Sequence, residues 1–429
     1  MKRILLLAIT SCTFLTINAQ EPLSEYDLNK PIGWAMVDGS ITGGEGGEEV
    51  VVTTEDEFDA AINKKNPQTS ERDVPMIIYL KGDIEFTKMH TLHVKNKTLL
   101  GLPGSRIFSK DRTKKNSGIL KFSSGSGANS ENIILRNVTI EGAGAYDVDG
   151  DDALLFQGVP RVWVDHCDLR DGVDSTFDCN HESDYISVTW TRMRYLKDPL
   201  AGGSGGASDH RFCCTWGSSD KATESVGKLN TTFANCWWDE GVMERAPRVR
   251  FGKVHVVNCY YTNVGNNYSI GYGYLCNIYA EKCWFADGVT PIKDYTDAKH
   301  GYADYNLQMV DCHNIADKKQ NVGNIEYFSP SDYYEYNGFD KELVPTIVGN
   351  EQTGAGANLM VEVGKGVTGY ANGVAPTGIT KTTGSSTCIL STAYYTPSGN
   401  RLNKPQKGLN IIKQEMGDGS THTTKIMVI

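Results

Sequence analysis

Leu229-Asn230-Thr231-Thr232-Phe233-Ala234-Asn235-Cys236-Trp237-Trp238 is followed, one short interval later, by Lys253-Val254-His255-Val256-Val257-Asn258-Cys259-Tyr260-Tyr261. Each is a brief β-rich run with alternating character that closes on a polar residue, a cysteine and then large side chains. The pattern recurs at 132–140, 162–169, 185–193, 277–285 and 306–313, where Cys often, but not always, keeps the place of the cysteine. Cys236, Cys259, Cys283 and Cys312 hold matching places at intervals of 23, 24 and 29 residues, and Cys167 holds that place in its own run. A period in the low twenties with short strands and few helical stretches predicts a parallel β-solenoid. Equivalent side chains then stack coil on coil at strand spacing. The four matching cysteines are expected as a buried ladder of free thiols rather than a disulfide framework. Cys179, Cys213 and Cys214 fall outside it and are free to pair.

Outward from the repeats, Thr54-Glu55-Asp56-Glu57 is a capping box, and Phe58, Ala61 and Ile62 share one helical face. This helix suits the N-terminal cap that an open solenoid end requires. Residues 76–80 then read as the first strand. The longest loop, about 195–220, carries Ala201-Gly202-Gly203-Ser204-Gly205-Gly206. It lacks the lysine and the strand–helix setting of a phosphate loop, so it reads as a surface loop beside a groove. Composition shifts to Gly, Thr and Ser after about residue 354. The expected organisation is a signal peptide at 1–19, a solenoid domain at 20–359, a linker at 360–386 and a tail at 387–429 concerned with export or attachment.

The signal rests on Lys2 and Arg3, the apolar run that begins at Ile4, and Asn18-Ala19 before Gln20. Ile9-Thr10-Ser11-Cys12 offers a lipid-anchor alternative. The apolar run is too short to span a bilayer, and secretion of a monomer with no transmembrane segment is expected. The net charge of −10 argues against a nucleic-acid partner. A polyanion would need a local basic groove to overcome the overall field.

Such a groove is signalled by Glu244-Arg245-Ala246-Pro247-Arg248-Val249-Arg250-Phe251-Gly252, with three arginines in six residues. Their planar donor forks suit carboxylates. Upstream, Asp152, Asp174 and Asp178 flank Val162-Trp163-Val164-Asp165-His166, and adjacent coils would bring the three acids together. Ca2+ takes several carboxylate, carbonyl and water oxygens. Cations beside clustered carboxylates suit chemistry on an anionic polysaccharide.

Val162-Trp163-Val164-Asp165-His166 together with Arg245-Ala246-Pro247-Arg248-Val249-Arg250-Phe251-Gly252 resembles the pectate lyases of polysaccharide lyase family 1. Gly33-Trp34-Ala35, Thr42-Gly43-Gly44-Glu45-Gly46-Gly47 and 77–84 fit that family's N-terminal region. The resemblance covers about 31–359. It implies an all-β, right-handed parallel β-helix and calcium-dependent β-elimination of α-1,4-linked polygalacturonate to 4,5-unsaturated products. By motif position it implies Arg245 as base, Arg250 as the arginine for the substrate carboxylate, and Asp152, Asp174 and Asp178 as calcium ligands. It also implies that Asp165 and His166 are buried structural residues. Two departures stand out. An acid common two residues before Asp152 is here Gly150, with Asp149 or Asp151 as substitutes. The family's second substrate cation falls on either Lys197 or Arg211.

Crowded cations disfavour a further positive charge at the base, so an alkaline optimum is expected. Three alternatives remain at this level. A pectin lyase would act on methyl-esterified polymer without calcium. A hydrolase on the same solenoid would pair two carboxylates. A non-catalytic solenoid would only bind glycan.

Overall fold

A computed structural model describes residues 28–125, 127–316, 321–373, 389–397, 400–402, 404, 406–416 and 421–428. The proposed signal peptide, with Cys12, lies outside the described residues.

Three sheets wind along the chain as a parallel β-helix. The long sheet runs through Glu48–Val52, Met76–Leu80, Lys95–Gly101, Glu131–Arg136, Pro160–Asp165, Asp184–Thr189, Thr231–Ala234, Lys253–Val257, Asn277–Glu281 and Asn306–Val310, with Asn321–Gly323 added antiparallel. The groove sheet stacks His90–Leu92, Leu120–Ser123, Leu154–Gln157, Phe177–Asn180, Thr215–Trp216, Arg248–Val249, Ile270–Tyr272 and Ile292–Asp294. A third sheet runs from Asp83–Glu85 to Trp284–Phe285. Each coil visits the long, third and groove sheets in turn, as a short-period repeat requires.

Register explains the cysteines. Asp165, Thr189, Ala234, Val257, Glu281 and Val310 are successive partners along the long sheet. Two residues after each come Cys167, Thr191, Cys236, Cys259, Cys283 and Cys312. All nine described cysteines are free thiols. Cys236, Cys259, Cys283 and Cys312 each direct Sγ at a carbonyl one coil back, 3.3–3.7 Å away. Cys213 and Cys214 share a thiol–thiol hydrogen bond at 3.1 Å without forming a disulfide. The residue before each rung, from His166 to Asp311, turns the chain with φ between 45° and 57°. Asparagine tolerates that region best and occupies it at 235 and 258.

The helix Glu55–Ile62 buries Phe58, Ala61 and Ile62 in the main core. Thr54 caps it by accepting from Glu57 N at 3.2 Å, while Glu57 reaches back to Thr53 N at 2.7 Å. The first strand is Glu48–Val52, ahead of this helix and not after it. Residues 360–370 also depart from expectation. Leu359–Glu362 and Gly366–Tyr370 form an antiparallel hairpin whose Leu359, Val361, Val367 and Tyr370 pack with Leu28, Tyr79 and Leu100. Apolar side chains at alternate positions give this Gly-rich stretch a face to bury. The C-terminal unit, from Lys381, is a four-stranded antiparallel sheet of Ile389–Tyr395, Arg401–Leu402, Gly408–Met416 and Thr421–Val428.

Beneath the groove sheet lies an aromatic file. Phe122 stacks on Phe156 at 5.1 Å, Phe156 meets Phe177 at 5.9 Å, and Phe177 meets Trp216 at 5.1 Å. All four are fully buried. Phe156→Ala is expected to destabilise the fold by about 3–5 kcal/mol through lost transfer energy and an unfilled cavity. Urea unfolding of the variant beside the parent checks this; a shift under about 1 kcal/mol would mean the file can collapse to fill the space.

Candidate active site

The groove sheet has an outward row directly above that aromatic file. Lys121, Leu155 and Asp178 are register partners, and Thr215 pairs with Arg248. Gln157 and Asn180 form a second outward pair. These residues line a cleft of about 370 Å3 with Gly150, Asp151, Asp152, Asp174, Ser218, Arg245 and Arg250. The three acids named from sequence and two of the four named cations therefore share one cavity.

The acids sit under strain as carboxylates. Burial raises the Asp152 pKa well above the usual range, and Asp178, Asp174 and Asp151 add to it. Asp174 is pushed up to about 6 by burial and by Asp178. Burial also raises Asp178, against the pull of Arg245 and of the Thr215 and Ser175 donors. Thr215 N donates to Asp178 Oδ1 at 2.7 Å, and Ser175 Oγ donates to the same atom at 2.8 Å. Three crowded oxygen donors of like charge fit a hard divalent cation such as Ca2+.

Arg245 sits at φ 63°, in the bend before the strand Arg248–Val249. Its guanidinium lies 4.6 Å from the Phe212 ring centre and donates to Thr215 Oγ1 at 3.2 Å. Its Nε is buried without a hydrogen-bond partner. Among the described residues it has no ion pair, so its charge faces the cleft. Arg248 stacks on Tyr295 at 3.9 Å, and burial, then Arg250 and Arg245, hold its pKa below the usual arginine value. Arg250 is largely buried and already engaged: Nε donates to Asp220 at 2.7 Å and Nη1 to the Gly217 carbonyl at 2.8 Å.

Lys197 and Arg211 lie outside this cleft. Lys197 donates to Glu141 and to the Gly142 carbonyl, at 2.8 and 2.7 Å. It lines a different cavity, of about 750 Å3, with Arg106, Lys110, Arg112 and Glu141. That cavity is the larger of the two, but Lys110 is spent on Glu85, Arg112 on the Ala143 carbonyl, and Lys197 and Arg106 on Glu141. Burial opposes that carboxylate's charge, yet Lys197, Arg106 and Arg170 hold it down to about 2. Arg211 is paired bidentately with Asp209, at 2.9 and 2.6 Å. Neither lines this cleft, whereas Arg248 and Lys121 do.

Gly150 is also explained. A Cβ there would meet Ser117 Oγ at 2.1 Å, so an acid cannot be added while Ser117 stands. Asp151 reaches the cleft but is paired with Lys121 at 3.0 Å. Asp165 and His166 are fully buried, with Asp165 held by Arg136 at 2.9 Å and Thr189 at 2.6 Å. Burial opposes its charge, and His166 and Arg136 keep its carboxyl below the usual range. The pair lies on the outer side of the long sheet, sealed beneath Leu28, Asn29 and Tyr370, and does not line the cleft.

A family model described as pectate lyase matches residues 3–339. The chain belongs to the pectate lyase family. It is 32% identical over 241 residues to a probable pectate lyase B of Aspergillus terreus, a match covering 54% of this chain and 62% of that protein. The chain thus spans less than two thirds of that relative's length. It is 29% identical over 294 residues to a pectate trisaccharide-lyase of Bacillus licheniformis, covering 66% of this chain and 74% of that one. Among solved structures, a pectate lyase bound to hexasaccharide superposes with a TM-score of 0.57 at 19% identity, covering 77% of this chain and 98% of that one. This last likeness concerns the parallel β-helix itself. Among the described residues, no helix is long and apolar enough to cross a membrane.

Proposed function

We propose that this pectate lyase family member cleaves polygalacturonate by calcium-dependent β-elimination. The observation that carries the reading is the single cleft in which an ion-pair-free Arg245 faces Asp152, Asp174 and Asp178. Arg245 acts electrostatically on all three. The names of the fungal and bacillar relatives point to the same substrate class.

In this reading the uronate carboxylate enters beside the three acids, which would hold Ca2+ between them. The bound ion would neutralise that carboxylate and stabilise charge developing on it. Arg248, on the outward row, supplies a second cation to the same group. Arg245 in its neutral guanidine form takes the proton from C5. The C5–H electron pair then forms the C4–C5 double bond, and the glycosidic oxygen leaves C4. Arg250, locked on Asp220 and Gly217, serves by fixing the wall of the cleft unless substrate displaces Asp220. Residues 1–19 direct the protein out of the cytoplasm.

Ultraviolet absorbance of the unsaturated product tests the proposal. Polygalacturonate with added calcium should give it, and chelation should stop it. Equal or faster product formation from fully esterified polymer in chelator would replace this reading by a pectin lyase; reducing ends without absorbance would replace it by a hydrolase.

A further inference from the structure

We propose a second metal site in this protein, formed by Asp147, Asp174 and His210 and suited to a borderline cation such as Zn2+. One ligand atom from each of the three lies within 4.8 Å of the others. Two of the three are absent from the lining of the Arg245 cleft. The site goes beyond the lyase reading and does not depend on it.

His210 carries the argument. Its residue is only 8% exposed, and its Nδ1 is buried with no hydrogen-bond partner. A buried ring nitrogen left without a partner is costly, so it calls for an explanation. Nδ1 stands 3.5 Å from Asp147 Oδ2, and Nε2 stands 3.7 Å from Asp174 Oδ1. Both separations are too long for good hydrogen bonds. Only one ring nitrogen can ligate a given ion. Nδ1 and Asp147 Oδ2, at 3.5 Å, stand near the roughly 3.3–3.5 Å edge between two ligands of one tetrahedral zinc ion. The three ligand atoms, Asp174 included, lie within 4.8 Å of one another. The widest spacing must close by about 1 Å around an ion, which side-chain rotation can supply.

The surroundings hold the set in place. Ala207 N donates to Asp147 Oδ2 at 2.7 Å, orienting that carboxylate from behind. The Gly-rich loop makes this possible. A Cβ at Gly203 would lie 1.8 Å from the Asp147 carbonyl oxygen, and one at Gly205 would lie 1.8 Å from Asp147 Oδ1. Gly203 admits only glycine because it presses on the Asp147 backbone, and at Gly205 a side chain would displace the Asp147 carboxylate. Phe212 packs on the His210 ring with centroids 4.1 Å apart.

Ligand chemistry separates the two sites. An imidazole nitrogen with two carboxylates suits Zn2+, whereas an all-oxygen set suits Ca2+. Asp174 belongs to both sets, so the two ions should oppose each other's binding.

Calorimetric titration of the tag-free, chelator-treated full chain with Zn2+ tests this. The parent should take up one equivalent. His210→Gln should bind at least about tenfold more weakly, with its melting temperature and calcium uptake unchanged. Asp152→Asn should retain zinc uptake. Asp147→Asn provides a second variant and should weaken zinc in the same direction. Undiminished zinc affinity in either His210→Gln or Asp147→Asn, or no uptake by the parent, overturns the site. Because the readout is heat and not turnover, its failure leaves the lyase reading standing, and the reverse holds too.

Discussion

Arg245→Lys should lower kcat about a thousandfold while KM changes little. General-base catalysis is worth about 100- to 10,000-fold, so this loss corresponds to about 4 kcal/mol of transition-state stabilisation. Lysine keeps the positive charge near Asp152, Asp174 and Asp178, and therefore much of the attraction for an acidic polymer. It loses the planar group that lies over Phe212 and reaches Thr215 Oγ1. The proton acceptor is removed while the binding cleft stays charged, and that separates chemistry from binding. Initial rates of unsaturated product across substrate concentration give the comparison. A variant with parental kcat would remove Arg245 from the role of base. A variant with unchanged kcat and a large rise in KM would reassign it to substrate binding.

Asp178→Asn should abolish the calcium response and, in chelator, melt at a higher temperature than the parent near neutral pH. Asparagine can still accept from Thr215 N and Ser175 Oγ, so the local hydrogen bonds survive. What disappears is a buried negative charge. The folded-state pKa values of Asp152, Asp174 and Asp178 are raised by burial and mutual repulsion. For a carboxyl raised in the fold, the folded state binds more protons than the unfolded one. Stability is then lost as pH rises through the folded value. For Asp174 that window runs from the usual aspartate range to about 6. The metal-free parent should therefore weaken across this window, and calcium should restore more stability at pH 8 than at pH 4. Melting curves with and without calcium at several pH values decide the matter. A metal-free parent that grows more stable from pH 4 to 6, in step with the variant, would show that the acids are not crowded as charges.

The repeat was legible because Cys236, Cys259, Cys283 and Cys312 mark one register position with an uncommon residue. Thr191 holds the same position without that mark, and its coil carries the long insertion. The strand Glu48–Val52 escaped notice because its burial is one-sided and the capping helix separates it from its partner. Asp152, Asp174 and Asp178 come together because they lie in or just before the paired groove strands Leu154–Gln157 and Phe177–Asn180. In the sequence only the family resemblance sets them apart from turn aspartates. Lys197 and Arg211 were not placeable. A loop lysine goes to whichever carboxylate its fold presents, here Glu141 on the third sheet, and sequence order does not show which face that is. His210 lies in the same insertion, where spacing carries no periodic signal. Asp147 has no distinguishing sequence context, and the backbone at 203–207 closes on it only in the fold.

The sealed thiols give the molecule a built-in clock. Eight of the nine described cysteines are buried and none is cross-linked. A membrane-impermeant alkylating reagent should find almost nothing to label among the nine described thiols of intact molecules, yet label a coil's thiols fully once it comes apart. Mass gain over time would then report which turns of the spiral open first. It would also show that the coils owe their durability to stacked strands, and the solenoid should mature equally well where reductant is abundant.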